Sequence, residues 1–347
     1  MKYSEQASYR GTFPAGFRSL VERLVLRDFG TQNLDGDESS ILFSGPWPLR
    51  RPAYLQSLAL VIARCKSASI DDAYKLFARQ LSAGEAQQAL QRCLSSPLFL
   101  KKMRPSRFVL RSIERGQPCA VSPSTRSSLE KVISAATLLG ADSEHPDLEL
   151  QVSLREDGQA YIQVLAKKER FDEKGALPPW TCRLLIELST YSKDDTFLDP
   201  FMGSGAIALE RARTAPYKLI FAGDLDESLV QEFKAQLKEK EWEKRRKTIF
   251  PKILDARDLT RFDAAFFSAI VSDPPWGQFE NLGPDEILDL YSRFLKEARR
   301  ILKRAGKLVL LLARDAPLEA ALTSEWQLEE DYAVLISGRK ARVVVLS

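Results

Sequence analysis

The carboxyl-terminal half of this sequence predicts an α/β fold with a mostly parallel sheet wrapped by helices, preceded by a less regular α+β region. Three observations carry that prediction. From about residue 196 onward, short β-rich runs alternate with long helical stretches. At 196–205 one such run ends at Asp199 and passes through Gly203 and Gly205 into a helical stretch, the strand-loop-helix arrangement of open α/β sheets. The chain then closes on two β-rich runs, 326–336 and 341–346, with Gly338 between them, which read as a hairpin with an antiparallel final strand.

In chain order, 17–29 has the period of an amphipathic helix, 41–43 reads as a short strand, and 58–63, 73–81 and 84–94 read as helical pieces. A strand pair follows at 148–154 and 160–165, turned by Glu156-Asp157-Gly158, where the glycine accepts positive φ. The segment 166–175 is charged and aperiodic, as a linker is. This places a first region at 1–167, a linker at 168–177 and a second domain at 178–347. In the second domain strands are expected at 196–198, 218–222, 269–271 and 307–312. Helices are expected at 178–189, 206–213, 226–246 and 285–303, each repeating apolar residues at spacings of three and four.

A chain of 347 residues exceeds what one core usually supports, so two folded units are expected. Residues 1–170 hold 24 Lys and Arg against 18 Asp and Glu, and the rest hold 27 against 29, so the positive surplus lies in the first region. Such a surplus fits a surface that grips a polyanion, and it equally fits plain solubility. Cys65, Cys93, Cys119 and Cys182 are scattered and His145 is the only histidine, so no metal-ligand spacing exists and neither metal nor thiol chemistry is expected. No signal-like apolar segment opens the chain and no run approaches the roughly 18 apolar residues of a membrane span, so a cytoplasmic location away from membranes is expected.

The loop Asp199-Pro200-Phe201-Met202-Gly203-Ser204-Gly205 lets a ligand lie over bare backbone at its glycines, and Asp199 offers acceptors to a cationic amino group. The dinucleotide pattern G-x-G-x-x-G fails, because Ala208 stands at the third glycine position, and no Gly-Lys-Ser/Thr follows to make a phosphate loop. Asp224 ends the next strand 19 residues after Gly205, where a carboxylate takes the two hydroxyls of a ribose. Asp226 suits a helix cap. Asp255 ends a third strand, placed to meet an adenine amino group.

The apolar run 269–271 stops at Ser272-Asp273-Pro274-Pro275-Trp276-Gly277. Consecutive prolines fix the backbone. That rigidity makes sense where the Asp273 carboxylate and the Pro274 carbonyl both accept hydrogen bonds from one planar NH2 group. Such a nitrogen is a poor nucleophile because its lone pair is delocalised, and two acceptors draw it toward tetrahedral geometry. Trp276 then stacks on the ring that bears the amine. A proline-rich turn around a buried Trp is the alternative. Position decides between them, since the motif stands at the carboxyl end of the strand that follows the three ligand-binding ones.

Together these segments resemble the class I amino-methyltransferases, whose substrate motif is Asp/Asn-Pro-Pro-aromatic and stands here as Asp273-Pro274-Pro275-Trp276. The resemblance covers about residues 176–347. It implies a Rossmann-like seven-stranded sheet with a reversed last strand, and S-adenosylmethionine as the cofactor. It implies further that Asp199, Phe201, Gly203, Ser204 and Gly205 surround the methionine part, that Asp224 and Leu225 lie at the ribose, and that Asp255 and Ala256 lie at the adenine. Upstream, Lys174-Gly175-Ala176-Leu177-Pro178-Pro179-Trp180-Thr181 is similar to the segment that leads into the catalytic domain of THUMP-containing RNA methyltransferases. There it closes over the cofactor, which adds Leu177 and Pro178 to the cofactor set. The opening, 9–17, and the strand pair around Gly158 are similar to the ferredoxin-like and THUMP portions of that group, so 1–167 is expected to be a ferredoxin-like/THUMP-like RNA-binding region. Those proteins mostly methylate the N2 amine of guanosine in tRNA or rRNA, and the likeness implies that substrate. Trp276 stands where Tyr or Phe is usual, and Ala206 replaces the common Thr.

Lys101, Lys102, Arg104, Arg107, Arg111 and Arg115, interleaved with Phe99 and Phe108, are the candidate phosphate contacts in the first region. A solvated helix face explains the run equally well. The acceptor motif also serves adenine N6 in RNA or DNA, and a catalytically silent RNA-binding protein that keeps the fold is a third reading. In-line transfer without a metal or a covalent intermediate, by a monomer, is the expected chemistry.

Overall fold

The structure, a computed structural model, describes residues 6–31, 34–47, 50–82, 84–100, 104–167, 176–189, 191–214, 216–277 and 282–347. The expected linker at 168–177 lies outside them except for Ala176 and Leu177. The chain divides into two compact units, one of Met1–Phe13 with Arg18–Arg170 and one of Pro14–Phe17 with Phe171–Ser347.

The first unit carries strands β1 (Gln6–Thr12), β2 (Asp35–Asp37), β3 (Ser40–Pro46), β4 (Ser57–Lys66), β5 (Arg107–Glu114), β6 (Gln117–Pro118), β7 (Gly140–Ala141), β8 (Leu148–Leu154) and β9 (Gln159–Leu165). They form one sheet in the order β2-β3-β1-β4-β9-β8-β5-β6, with β7 paired to β5. Its helices are α1 (Arg18–Phe29), α2 (Ile70–Leu81), α3 (Glu85–Cys93) and α4 (Pro123–Thr137). In α2 the buried set Ile70, Ala73, Tyr74, Phe77 and Leu81 follows the helical period, and the Ser69 hydroxyl accepts the Asp72 N–H at 3.2 Å to cap the first turn. Residues 58–63, expected to be helical, are strand instead, paired with β1 and β9 inside β4. Residues 58–62 are all buried, and an unbroken apolar run of that length carries no period to tell a covered strand from a helix.

The second unit places β10 (Thr196–Asp199), β11 (Leu219–Asp224), β12 (Ile249–Ile253), β13 (Phe267–Ser272), β14 (Leu302–Ala313), β15 (Leu328–Ile336) and β16 (Arg339–Leu346) in the order β12-β11-β10-β13-β14-β16-β15. Neighbours from β12 to β14 are parallel, while β16 runs antiparallel between β14 and β15. This is the seven-stranded sheet with a reversed last strand that the sequence predicts. Ser337 and Gly338, with φ of 49° and 81°, make the tight turn between β15 and β16. Strand order reverses between β10 and β13, so the crevice of this sheet opens at their carboxyl ends.

Helices α5 (Pro179–Leu188), α6 (Ala206–Thr214), α7 (Glu227–Gln236), α8 (Pro284–Ile301) and α9 (Leu318–Ala321) complete the unit. The longest, α8, buries Ile287, Tyr291, Phe294, Leu295, Ala298 and Ile301 at helical spacing, in a core shared with Leu198, Ile270, Leu308 and Leu310 of the sheet. The helix expected at 226–246 stops at Gln236, and short 3-10 turns at Lys240–Trp242 and Arg246–Thr248 replace its second half. Between Leu237 and Trp242 that stretch holds only Lys and Glu, so the apolar stripe lapses; Trp242 is buried with the Arg213 guanidinium 4.7 Å from its ring. The strand expected from residue 326 begins at Leu328, because Trp326 is buried and donates its indole N–H to the Leu295 carbonyl at 3.3 Å. No helix among the described residues is long and apolar enough to cross a membrane.

Gly205 shows how closely the layers approach. Its φ is +79°, and a Cβ there would stand 2.3 Å from the ring of Phe233 on α7. Gly205→Ala should destabilise the second unit by about 2–4 kcal/mol, left-handed strain and overpacking together, read as a lower urea midpoint. An unchanged midpoint would contradict this packing.

Candidate active site

The two loops that the sequence singles out leave adjacent strands, and one hydroxyl joins them. Ser272, the last residue of β13, donates to Asp199 Oδ1 at 2.5 Å and accepts the Phe201 N–H at 3.2 Å. Both Ser272 and Asp199 are fully buried. Asp199 Oδ2 is also buried and meets no hydrogen-bond donor among the described residues. Burial pushes the Asp199 carboxyl up to about 7, against the hydrogen bonds from Ser272 and Phe201 and with help from the negative charges of Asp273 and Asp224.

The glycine loop is tied to β11 in the same manner. The Met202 N–H donates to the Gly223 carbonyl at 2.8 Å, and the Gly203 N–H donates to Asp224 Oδ2 at 2.9 Å. Asp224 Oδ1 accepts the Asp226 N–H at 3.0 Å, and Asp226 in turn caps α7 by accepting the Ser228 N–H at 2.7 Å. Asp255, beyond β12, is gripped by Arg257 through Nε at 3.0 Å and Nη2 at 2.8 Å, and these bonds hold its carboxyl below the usual range.

Past β13 the chain turns through the proline pair. Pro274 is buried, and the Pro275 carbonyl accepts the Tyr291 hydroxyl of α8 at 2.9 Å. The Trp276 indole N–H donates to Asp273 Oδ1 at 2.8 Å, so ring and carboxylate orient each other. Tyr291 and Ser272 thus anchor the motif from two sides, and the sequence assigned neither a role. Their contacts are tertiary and leave no local pattern.

A cavity of about 1140 Å³ opens over these strand ends. Of the expected residues, Leu177, Phe201, Gly203, Asp224, Leu225, Asp255, Ala256 and all of Asp273, Pro274, Pro275 and Trp276 line it. Pro178, Asp199, Ser204 and Gly205 do not: Pro178 and Asp199 are buried, and Gly205 faces Phe233. Unexpected wall residues come from α8, with Asp285, Glu286 and Asp289, and from the β15–β16 turn, with Ile336, Ser337 and Arg339. The arrangement fits S-adenosylmethionine. A Cβ at Gly203 would meet nothing within 4 Å, Leu225, Leu229, Leu254 and Ala256 give an apolar wall for a purine, and Asp224 sits beside them for a diol.

In the first unit the described part of the basic run is not a helix face. Phe99 and Phe108 belong to the core, Arg107 on β5 pairs with Asp142 at 2.7 Å, and Arg111 lies 3.8 Å from Glu149. Arg104 and Arg115 are exposed, and Lys101 and Lys102 lie outside the described residues. Among the described residues no group of three or more His, Cys, Asp or Glu is arranged to hold a metal ion.

Known proteins agree with this architecture. The family profile of UPF0020, described as an RMKL-like methyltransferase domain, matches residues 167–342. The tRNA (guanine(6)-N2)-methyltransferase of Thermus thermophilus is 30% identical over 250 residues, covering 69% of this chain and 72% of that protein. The tRNA (guanine(10)-N2)-dimethyltransferase of Methanothermobacter thermautotrophicus is 28% identical over 185 residues, covering 53% and 52%. Among solved structures, TrmN from Thermus thermophilus matches at a TM-score of 0.73 and 23% identity over 99% of each chain. The chain belongs to the UPF0020 family of RMKL-like methyltransferases and is an S-adenosylmethionine-dependent methyltransferase.

Proposed function

We propose that this chain transfers the methyl group of S-adenosylmethionine to the exocyclic N2 amine of a guanosine in tRNA. The observation that carries the reading is a single cavity lined both by the cofactor set, Gly203, Asp224 and Asp255, and by Asp273-Pro274-Pro275-Trp276. Guanine is preferred over adenine because both relatives, by name, act on guanine N2 in tRNA. The first unit serves as the THUMP-like RNA-binding region, with Arg104 and Arg115, exposed and without an ion pair among the described residues, as phosphate contacts. A cytoplasmic location goes with a tRNA substrate.

When bound, S-adenosylmethionine supplies an electrophilic methyl on a sulfonium. The Asp273 carboxylate and the Pro274 carbonyl accept the two N–H bonds of the amine and aim its lone pair. Trp276, held by its indole N–H on Asp273, offers a face on which the base stacks. The N–C bond would form as the methyl C–S bond breaks, leaving the cofactor as its neutral thioether, and the proton that the amine sheds would pass to Asp273.

Incubating the protein with unmodified tRNA transcripts and methyl-labelled cofactor, then digesting to nucleosides for mass spectrometry, should yield N2-methylguanosine; N6-methyladenosine would overturn the reading. Asp273→Ala should lower turnover by about 10²–10³-fold while calorimetry finds cofactor affinity unchanged. Asp199 gives a pH signature. Because folding raises its proton affinity, the stabilisation tied to that proton is complete below the ordinary carboxyl value of 3.8 and is lost as the pH rises through about 7. Thermal melts across that window should fall more steeply for the wild type than for Asp199→Asn. Parallel curves would show that Asp199 is not held neutral by burial.

A further inference from the structure

The cavity wall is acidic to a degree that bears on how a nucleotide enters. Asp224, Asp255, Asp273, Asp285, Glu286 and Asp289 all line it. Arg257, beyond β12, and Arg339, on the β15–β16 turn, are the cations that line it among the described residues. A base is neutral and can pass such a wall, whereas the phosphate beside it is repelled by it. The phosphate therefore needs a cation at the rim.

Arg339 has that position. It is exposed, it opens β16, and it follows the tight turn at Ser337 and Gly338, so it rides on a hairpin and not on a long loop. Register fixes which end of the sheet this is. Ser272 pairs with Leu310 and Ala313 pairs with Ala341, so Arg339 projects past the carboxyl end of β14, on the side where Asp273 leaves β13. Arg314, exposed and next after β14, stands at the same end.

We propose that Arg339 binds the phosphate that flanks the target guanosine, so that the nucleotide enters base first with its phosphate held at the rim. This rests on the reading of the chain as a tRNA guanine-N2 methyltransferase. Discrimination then comes from charge as well as shape, because a nucleotide rotated out of its stack with the phosphate inward meets the carboxylates of α8.

The test uses the full chain with tRNA transcripts and methyl-labelled cofactor over a salt series. Arg339→Gln should raise the KM for tRNA about tenfold with kcat nearly unchanged, and should make the plot of log(kcat/KM) against log salt shallower by about 0.7–0.9, the loss of one phosphate contact. Arg339→Lys should recover most of the KM, since an ammonium serves a phosphate as a point charge. Cofactor affinity by calorimetry should match the wild type in both variants. A wild-type KM and salt slope in Arg339→Gln would overturn the proposal, and so would a raised KM with an unchanged slope or a weakened cofactor. Failure of the wild type itself to methylate tRNA would sink the underlying reading and the proposal with it, whereas an unaffected Gln variant of an active enzyme sinks the proposal alone.

Discussion

The hydroxyl of Ser272 lies where two neighbouring strands stop, and the geometry of both functional loops hangs on it. It donates to a carboxylate that has no access to water and accepts the backbone N–H two residues further along the partner loop. An ionised carboxylate in that position would be costly, since one of its oxygens finds no donor among the described residues, and burial accordingly shifts Asp199 toward its neutral form. The same pair sets the distance between the loop that carries Gly203 and the motif that carries Asp273. A methyl donor and an amine acceptor must meet within a few tenths of an ångström, and a hydrogen bond at a buried strand end is a stiffer spacer than a surface loop.

From that tie the remaining contacts spread outward. Asp224 holds the Gly203 N–H, Tyr291 holds the Pro275 carbonyl, and Trp276 and Asp273 hold each other. Each joins a loop to its neighbour through one donor–acceptor pair, so the loops are held by hydrogen bonds as well as by packing. The apolar stripe of α8 brings Tyr291 to the motif and, one face round, sets Asp285 and Asp289 in the wall. One helix therefore both braces the acceptor and charges the entrance.

How much of this the sequence discloses follows from the range of each interaction. The glycine loop, Asp224 and the proline motif are local patterns whose chemistry is readable residue by residue, and the cavity gathers most of them. Asp199 reads from sequence as a ligand-facing carboxylate, and the structure buries it against Ser272 behind the residues that line the cavity, since strand-end position does not reveal which way a side chain points. Ser272 and Tyr291 act across 16 residues or more of chain, and no spacing rule reaches them. Among elements, α2 and α8 are legible through their stripes, whereas 58–63 is too uniformly apolar and 238–241 too uniformly charged for period to decide.

The most direct measurement is Ser272→Ala, with cofactor affinity by calorimetry and turnover by methyl transfer taken on the same folded preparation. If Ser272 sets the spacing of the two loops, losing its hydroxyl strands the Asp199 carboxyl, costs about 1–3 kcal/mol and lowers both cofactor affinity and turnover together. Wild-type values for both would contradict the claim that this one hydrogen bond holds the site in register.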